Sequence, residues 1–302
     1  MASLCKILLA VLWIASLSPW GEVCAQKPGR ASNSRPVVEK AASKIKKRQQ
    51  SVALESARLR FAPMTLPGGS SLTLVTPVEW EALSIIVTSA LNDLHGELSE
   101  LFGGLPNVKT SVRLMEADRF YERTGAPRWT NALYIRNQII IPIVDPFRLD
   151  TENLRRSVRH EYTHAVVSAL SGGRCPGWLD EGLAQWAEGE ANPALAPALA
   201  QWLQYKRPVS LSLLRGGFTK LDSDMVPAAY AQSLFATKVV MKNQGFEKLG
   251  AYLRELKTQN DVNQAFVDSF KLSIPEFEVQ LGRELKDWSK QDGFRRAHIL
   301  EQ

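Results

Sequence analysis

Apolar and polar positions follow the short period of half-buried strands over Ser71–Thr76 and Thr110–Met115. Between these strands, Glu79–Phe102 carries apolar residues at helical spacing and predicts a long amphipathic helix, and Ala117–Arg123 predicts a short one. Asn131–Ile135 and Gln138–Ile141 then read as two short strands around a turn at Arg136-Asn137, and the unbroken run Ile139–Ile141 implies burial on both faces of a sheet. From Asp150 the period becomes helical again, with Leu154, Val158, Ala165 and Ala169 on the packing side. Asp150 suits the N-cap, Glu152 the first turn, and Gly172-Gly173 the stop. Pro176-Gly177 makes a turn into a second helix, Trp178–Glu188, which packs through Leu179, Leu183 and Trp186. Beyond it, Ala194–Lys206, Ala228–Gln244, Phe246–Lys257 and Ile274–Trp288 are all helical in pattern. A mixed sheet with helices followed by a helical half predicts an α+β fold with a cleft between the two halves.

The N-terminal part has a different composition. Residues 1–25 carry one lysine, an apolar stretch from Ile7 to Leu17 and Val23-Cys24-Ala25, which suits cleavage before Gln26. They read as a signal peptide for export to the periplasm or beyond, with an uncleaved membrane anchor as the alternative, although the stretch is shorter than the roughly 20 residues of a membrane span. Residues 27–60 hold ten Lys or Arg against two acidic residues, and with a net charge of +6 for the whole chain this leaves the remainder near −2. Residues 26–60 therefore read as a basic, flexible or partly helical tether, centred on Lys44, Lys46, Lys47 and Arg48. It is a solvated linker or a weak contact to an anionic envelope surface. The export signal and the lack of interleaved aromatics argue against nucleic acid as a partner. Residues 61–302, about 240 in number, suffice for a substantial core. With Cys5 and Cys24 in the signal, Cys175 is the one cysteine left and no intrachain disulfide can form. Cys175 is an incidental turn residue, or a redox or metal-contacting thiol.

The chemistry sits on the two central helices. Arg159-His160-Glu161-Tyr162-Thr163-His164 places two histidines at i and i+4, so that both imidazoles face one metal ion. Glu161 lies about 100° further round the helix, within reach of a metal-bound water without being a ligand. In Trp178-Leu179-Asp180-Glu181-Gly182-Leu183-Ala184, Glu181 can point back as a third ligand. Two histidines and one carboxylate leave a coordination position open, as catalytic zinc requires. Asp180 in place of Glu181 is the alternative third ligand. His95 and His298 read as surface or packing residues.

These residues resemble the gluzincin zinc peptidases, and more closely the bacterial peptidase MA-like domains, in which His-Glu-x-x-His is followed by Trp-Leu-x-Glu-Gly-x-Ala. The resemblance spans roughly residues 70–290. It implies a zincin-like fold, His160, His164 and Glu181 as Zn2+ ligands, and Glu161 as general base. Tyr230-Ala231-Gln232-Ser233 is similar to the clan's Tyr-x-x-Ser, which implies Tyr230 as oxyanion donor, against an ordinary half-buried tyrosine. The resemblance also implies that the strand near Asn131–Ile135 lines the cleft, where its edge could take up an extended peptide; burial as plain core sheet is the other reading. Sixteen residues separate His164 from Glu181, fewer than in thermolysin-like members, and no Gly-x-Met-Glu-Asn segment is present, which argues against the clan's aminopeptidases. Val167 and Leu170 stand where the metzincins need a glycine and a third histidine. The implied activity is zinc-dependent hydrolysis of peptide bonds in a peptide or protein substrate, most simply by an endopeptidase. The competing readings are a non-hydrolytic zinc-binding envelope protein and an amidase acting on a cell-wall cross-link.

Overall fold

The computed structural model describes residues 58–301 apart from 129, 190, 191, 219 and 220. The expected signal peptide and nearly all of the expected tether lie outside the described residues. The tether's last two positions, Leu59 and Arg60, belong instead to a strand.

Five strands form one mixed sheet: β1 (Leu59–Thr65), β2 (Ser71–Pro77), β3 (Lys109–Glu116), β4 (Leu133–Ile135) and β5 (Gln138–Ile143), in the order β1-β2-β3-β5-β4. β2, β3 and β5 run parallel, and β1 and β4 pair antiparallel at the two edges. Parallel neighbours need crossovers, and helices α1 (Glu81–Leu101) and α2 (Ala117–Thr124) supply them. α1 presents Leu83, Val87, Ala90, Leu91, Leu94 and Leu98 as one buried stripe. That stripe shares a core with Leu72, Leu74, Val112, Leu114, Ile139 and Ile141, which lie on one face of the sheet. The opposite face carries a smaller cluster of Met115, Phe120, Ala126, Leu133 and Ile140. The isoleucine run of β5 is therefore buried on both faces, as its composition implies. The β4–β5 hairpin turns through Arg136 (φ 50°) and Asn137 (φ 59°), the left-handed pair of a two-residue hairpin loop.

The helical half contains α3 (Thr151–Ser171), α4 (Gly177–Ala187), α5 (Leu195–Tyr205), α6 (Val226–Glu255), α7 (Val262–Phe270), α8 (Ile274–Ser289) and α9 (Gly293–Glu301). α6 is broken at Gly245, whose φ of 79° and ψ of 163° no helix allows, so it runs as the two segments that the sequence pattern predicts. α3, α4 and α6 pack together at the centre, and Trp178, Leu179 and Leu183 of α4 are buried in that core. β1, α7 and α9 are additions to the expected set. No described helix is long and apolar enough to cross a membrane.

Candidate metal centre

α3 is held at both ends. The Asp150 carboxylate accepts from the backbone N–H of Glu152 at 3.0 Å and of Asn153 at 3.3 Å, and Gly172 closes the helix in the left-handed conformation. Its apolar face is locked into the core by Leu154, Val158, Tyr162 and Ala165. Tyr162 is also tied by its hydroxyl to Nδ1 of His95 at 2.8 Å, while Nε2–H of His95 donates to the carbonyl of Pro67 at 2.9 Å. His95 is thus a buried packing residue, and His298 lies exposed on α9 and is not a member of the metal-type cluster.

α4 can approach because two of its positions lack a side chain. A Cβ on Gly177 would stand 2.4 Å from the carbonyl oxygen of Gly216, and one on Gly182 would stand 2.0 Å from Thr237 Oγ1 and 2.4 Å from the Ser233 carbonyl oxygen. Both contacts are impossible, so glycine at these positions sets how deeply α4 nests and where Glu181 ends up.

The result is a compact donor set. His160 Nε2 and His164 Nε2 are 3.2 Å apart, and Glu181 Oε2 lies 3.7 Å from the first and 3.9 Å from the second. The circle through these atoms has a radius of about 2.1 Å, so one point is close to zinc–nitrogen and zinc–carboxylate distance from all three. All three residues are buried, and they form the one metal-type cluster among the described residues. Glu181 Oε2 has no hydrogen-bond partner there, as expected of an oxygen that accepts from no N–H because it serves a cation. Asp180, the alternative ligand, is not in this set. Its Oδ1 lies 3.0 Å from Nδ1 of His164, on the far side of the ring.

Each histidine is backed by a carboxylate. Nδ1–H of His160 donates to Glu188 Oε1 at 2.8 Å, which leaves Nε2 as the donor atom for a metal, and Glu188 in turn accepts from Arg156 at 3.3 Å. Glu161 and Glu181, both buried, and the partly buried Asp180 and Glu188 gather around two imidazoles, an excess of negative charge that a bound cation, or protons on the histidines, would offset. The titration shifts follow. Burial works to discharge His164, but the Asp180, Glu181 and Glu161 carboxylates outweigh it and push its pKa up to about 10. Burial likewise opposes the charge on His160, yet the Glu188 contact raises it. Burial raises Glu181, with the two histidines working against the shift. These residues therefore fit a divalent cation, and nitrogen–carboxylate donors of this type suit zinc.

Glu161 is 3 % exposed, and its Oε2 has no hydrogen-bond partner among the described residues. It lines a cleft together with Asn131, Arg156, His160, Gln185 and Tyr230. Tyr230, near the start of α6, is brought to the same cleft with its ring edge-on to Phe218 at 4.9 Å. Burial and the nearby Glu181 and Glu161 charges hold its hydroxyl pKa well above the ordinary value, so it remains a proton donor. Gln185 joins the two helices, its Nε2 donating to the carbonyl oxygens of Glu181 at 3.1 Å and Tyr230 at 3.0 Å. Asn131 and Ala132, just before edge strand β4, form another wall of the cleft. Cys175 is half-buried outside the donor set, and burial, with Asp180, raises its thiol well above the ordinary range, away from reactivity.

Sequence reasoning did not single out Glu188, Gln185 or Arg156. Each had a positional signal, since Gln185 and Glu188 stand four and seven residues after Glu181, and Arg156 stands four before His160, all helix-face spacings.

Comparison with known proteins is consistent with this geometry. The family model that matches is that of the peptidase MA superfamily, over residues 120–284. No curated protein matches. Among solved structures, the chain is similar to the M1 zinc metallopeptidase of Deinococcus radiodurans, with 18% identity, 80% of this chain and 51% of that chain covered, and a TM-score of 0.40. It is also similar to Legionella pneumophila aminopeptidase A in complex with aspartic acid, with 13% identity, 74% and 28% covered, and a TM-score of 0.47. The chain spans about half the length of the first and little more than a quarter of the second.

Proposed function

The chain belongs to the peptidase MA superfamily, and from that premise we propose that it is a zinc-dependent metallopeptidase that hydrolyses peptide bonds, acting as an endopeptidase. The observation that carries this reading is the convergence of His160 Nε2, His164 Nε2 and Glu181 Oε2 on one point, with the Glu161 carboxylate buried beside them. Zinc held there would make a hydroxide-like nucleophile available near neutral pH and polarise the scissile carbonyl.

The chain's own residues supply the rest. Glu161 takes the proton of the attacking water at its unpartnered Oε2 and returns it to the leaving amine. Tyr230 keeps its hydroxyl proton and donates a hydrogen bond to the oxygen that gains charge in the transition state. Glu188 accepts from Nδ1–H of His160 and so keeps that ring's Nε2 turned to the site, while the Asp180 carboxylate lies beside Nδ1 of His164 as a charge partner. β4 is an edge strand of the sheet and Asn131 and Ala132 just before it line the cleft, so an extended peptide would pair along this edge, which would give affinity with little side-chain selectivity. The expected leader would place this activity in the periplasm or outside the cell.

A non-hydrolytic zinc-binding role is disfavoured by Glu161, because a buried carboxylate with an unpartnered oxygen destabilises a pure binder and serves a hydrolase. The test is the metal content of the purified protein beside Glu181→Ala, followed by cleavage of a peptide library with Glu161→Gln as the blank. About one zinc per chain, weakened in Glu181→Ala, with cleavage that disappears in Glu161→Gln, is the expected result. A wild-type protein that binds no supplied zinc would overturn the reading.

A further inference from the structure

We propose that Arg156 is a specificity-determining residue that receives a carboxylate carried by the peptide substrate within about two residues of the scissile bond; this rests on the peptidase reading above. Arg156 stands one helical turn before His160 on α3, so their Cβ atoms are about 6 Å apart and both side chains face the cleft, beside Asn153 and Ser157. An extended peptide advances about 3.3 Å per residue, and a guanidinium on this turn therefore meets groups close to the bond being cut.

The three arginines of α3 differ in where their charge goes. Arg155 pairs with Asp93 at 3.6 Å, and Arg159 is held by Glu97 at 2.8 Å and by the carbonyl of Ala187. Arg156 alone of the three lines the cleft. It makes one long contact, Nη2 to Glu188 Oε2 at 3.3 Å, and the other Glu188 oxygen is committed to His160. Its Nε is buried and has no hydrogen-bond partner among the described residues. A guanidinium has five donors in a fork that matches a carboxylate. The buried Nε is out of reach of a ligand, but the side chain as a whole is 30% exposed and lines the cleft, so its remaining guanidinium N–H groups are the donors that an arriving carboxylate would meet.

Apart from His160, Glu161 and Glu188, the polar lining is of uncharged side chains such as Asn131, Asn153, Ser157, Gln185, Asn192 and Tyr230, and no other Lys or Arg is among the described lining residues. Glu161 and Glu188 already serve the site, so Arg156 is the group there that can distinguish a substrate acid from its amide. The competing role is purely internal, with Arg156 acting only to steady Glu188. Losing such a support would weaken every substrate alike, whereas losing a receptor removes a preference.

The carboxylate could be an acidic side chain or the free C-terminus, and one peptide series separates them. Quenched fluorogenic peptides carry Glu or Gln at each of the two positions on either side of the scissile bond, each made as C-terminal acid and as amide. kcat/KM is measured for wild type, Arg156→Gln and Arg156→Lys, with zinc content as the check on the site. The expected result is a preference of about tenfold or more for the acid member at one position, about 1.4 kcal/mol. That ratio collapses towards one in Arg156→Gln and is partly kept in Arg156→Lys. A preference at a side-chain position assigns an acidic residue, and a preference for the free acid over the amide assigns the C-terminus. No acid preference in wild type, or a ratio that survives in Arg156→Gln while all rates fall together, overturns the proposal. Calorimetric binding of the same pairs to zinc-loaded Glu161→Gln gives a second readout independent of turnover. If nothing is cleaved, the peptidase reading fails. Acid-selective binding lost in the Arg156→Gln double variant would still support the receptor, and equal binding of acid and amide would overturn it.

Discussion

Glu188 Oε1 lies 2.8 Å from Nδ1 of His160, and this contact joins the C-terminal end of α4 to the face of α3 that holds the metal donors. The same α4 carries Glu181, so one short helix supplies one donor of the candidate metal set and is continuous with the residue that holds the ring of another. Glu188→Ala removes the acceptor and Glu188→Gln keeps an acceptor but loses the charge. Outer-shell losses of this kind cost about 10–100-fold in metal affinity, with Ala expected at the upper end and Gln at the lower. Competition for zinc with a chromogenic chelator measures both. Unchanged affinity in Glu188→Ala would mean that helix packing alone fixes the His160 ring.

Gly182 is packed so tightly that the next residue type up cannot fit. An added Cβ meets Thr237 Oγ1 at 2.0 Å and the Ser233 backbone carbonyl at 2.4 Å, and the carbonyl cannot rotate away. Gly182→Ala should destabilise the protein by about 1–3 kcal/mol and should displace Glu181 enough to weaken zinc binding. Adding Thr237→Ala removes the shortest of the three clashes, leaving those with the Ser233 carbonyl and with the Cβ of position 237 at 2.8 Å, and should restore part of the stability. Thermal denaturation with metal analysis of the single and double variants is the check, and a Gly182→Ala protein with full stability and full zinc would refute the packing argument.

The parts of the site that depend on helical period were legible in the sequence, and the parts that depend on packing were not. His160, Glu161 and His164 are fixed relative to one another by four residues of one helix, which α3 forms as its caps and apolar spacing predict. The choice between Asp180 and Glu181 is different, because adjacent residues point about 100° apart and only the depth at which α4 nests decides which of them faces Nε2. The structure places Glu181 there and Asp180 against Nδ1. Among the fold elements, β1 escaped notice because Pro63 and Arg60 interrupt its alternation and it follows a basic run. α7 did carry a cap at Asp261, followed by Val262, Ala265, Phe266 and Phe270 at helical spacing. The break at Gly245 was readable, since a glycine between two periodic segments is where a helix can change direction.

Without a metal ion, His164 is pushed up to about 10 because the carboxylates of Asp180, Glu181 and Glu161 outweigh the opposing effect of burial. The folded value lies above the unfolded value of about 6.5, so the ring is protonated at neutral pH and zinc must displace that proton. Zinc binding should therefore release protons at pH 7 and release fewer as the pH approaches 10, which calorimetry in buffers of different ionisation enthalpy resolves. The linked stability has the same sign. A raised histidine pKa stabilises the metal-free protein fully below about 6.5, and that contribution is lost as the pH rises through about 10. Tm of the metal-free protein should fall across this window, and that of the zinc-loaded protein should not follow it. Proton-neutral zinc binding at pH 7 would show that the carboxylates do not hold His164 charged.

Tyr230 faces the same cleft as Glu161, and burial with two nearby carboxylates keeps its hydroxyl protonated. A phenol held in this state suits transition-state stabilisation, since it donates a hydrogen bond as the carbonyl oxygen gains charge and offers little to the neutral substrate. Tyr230→Phe removes only the oxygen, and the ring contact with Phe218 keeps the side chain in place. Loss of one oxyanion donor costs about 10²–10³ in kcat, so kcat should fall by that order with KM nearly unchanged. Zinc content should also stay at the wild-type level, because Tyr230 is not among the donor residues. The two measurements separate the roles. Full turnover in Tyr230→Phe would make it an ordinary wall of the cleft, and a loss of zinc together with turnover would make it a structural support for α4, reached through the Gln185 bridge to Glu181.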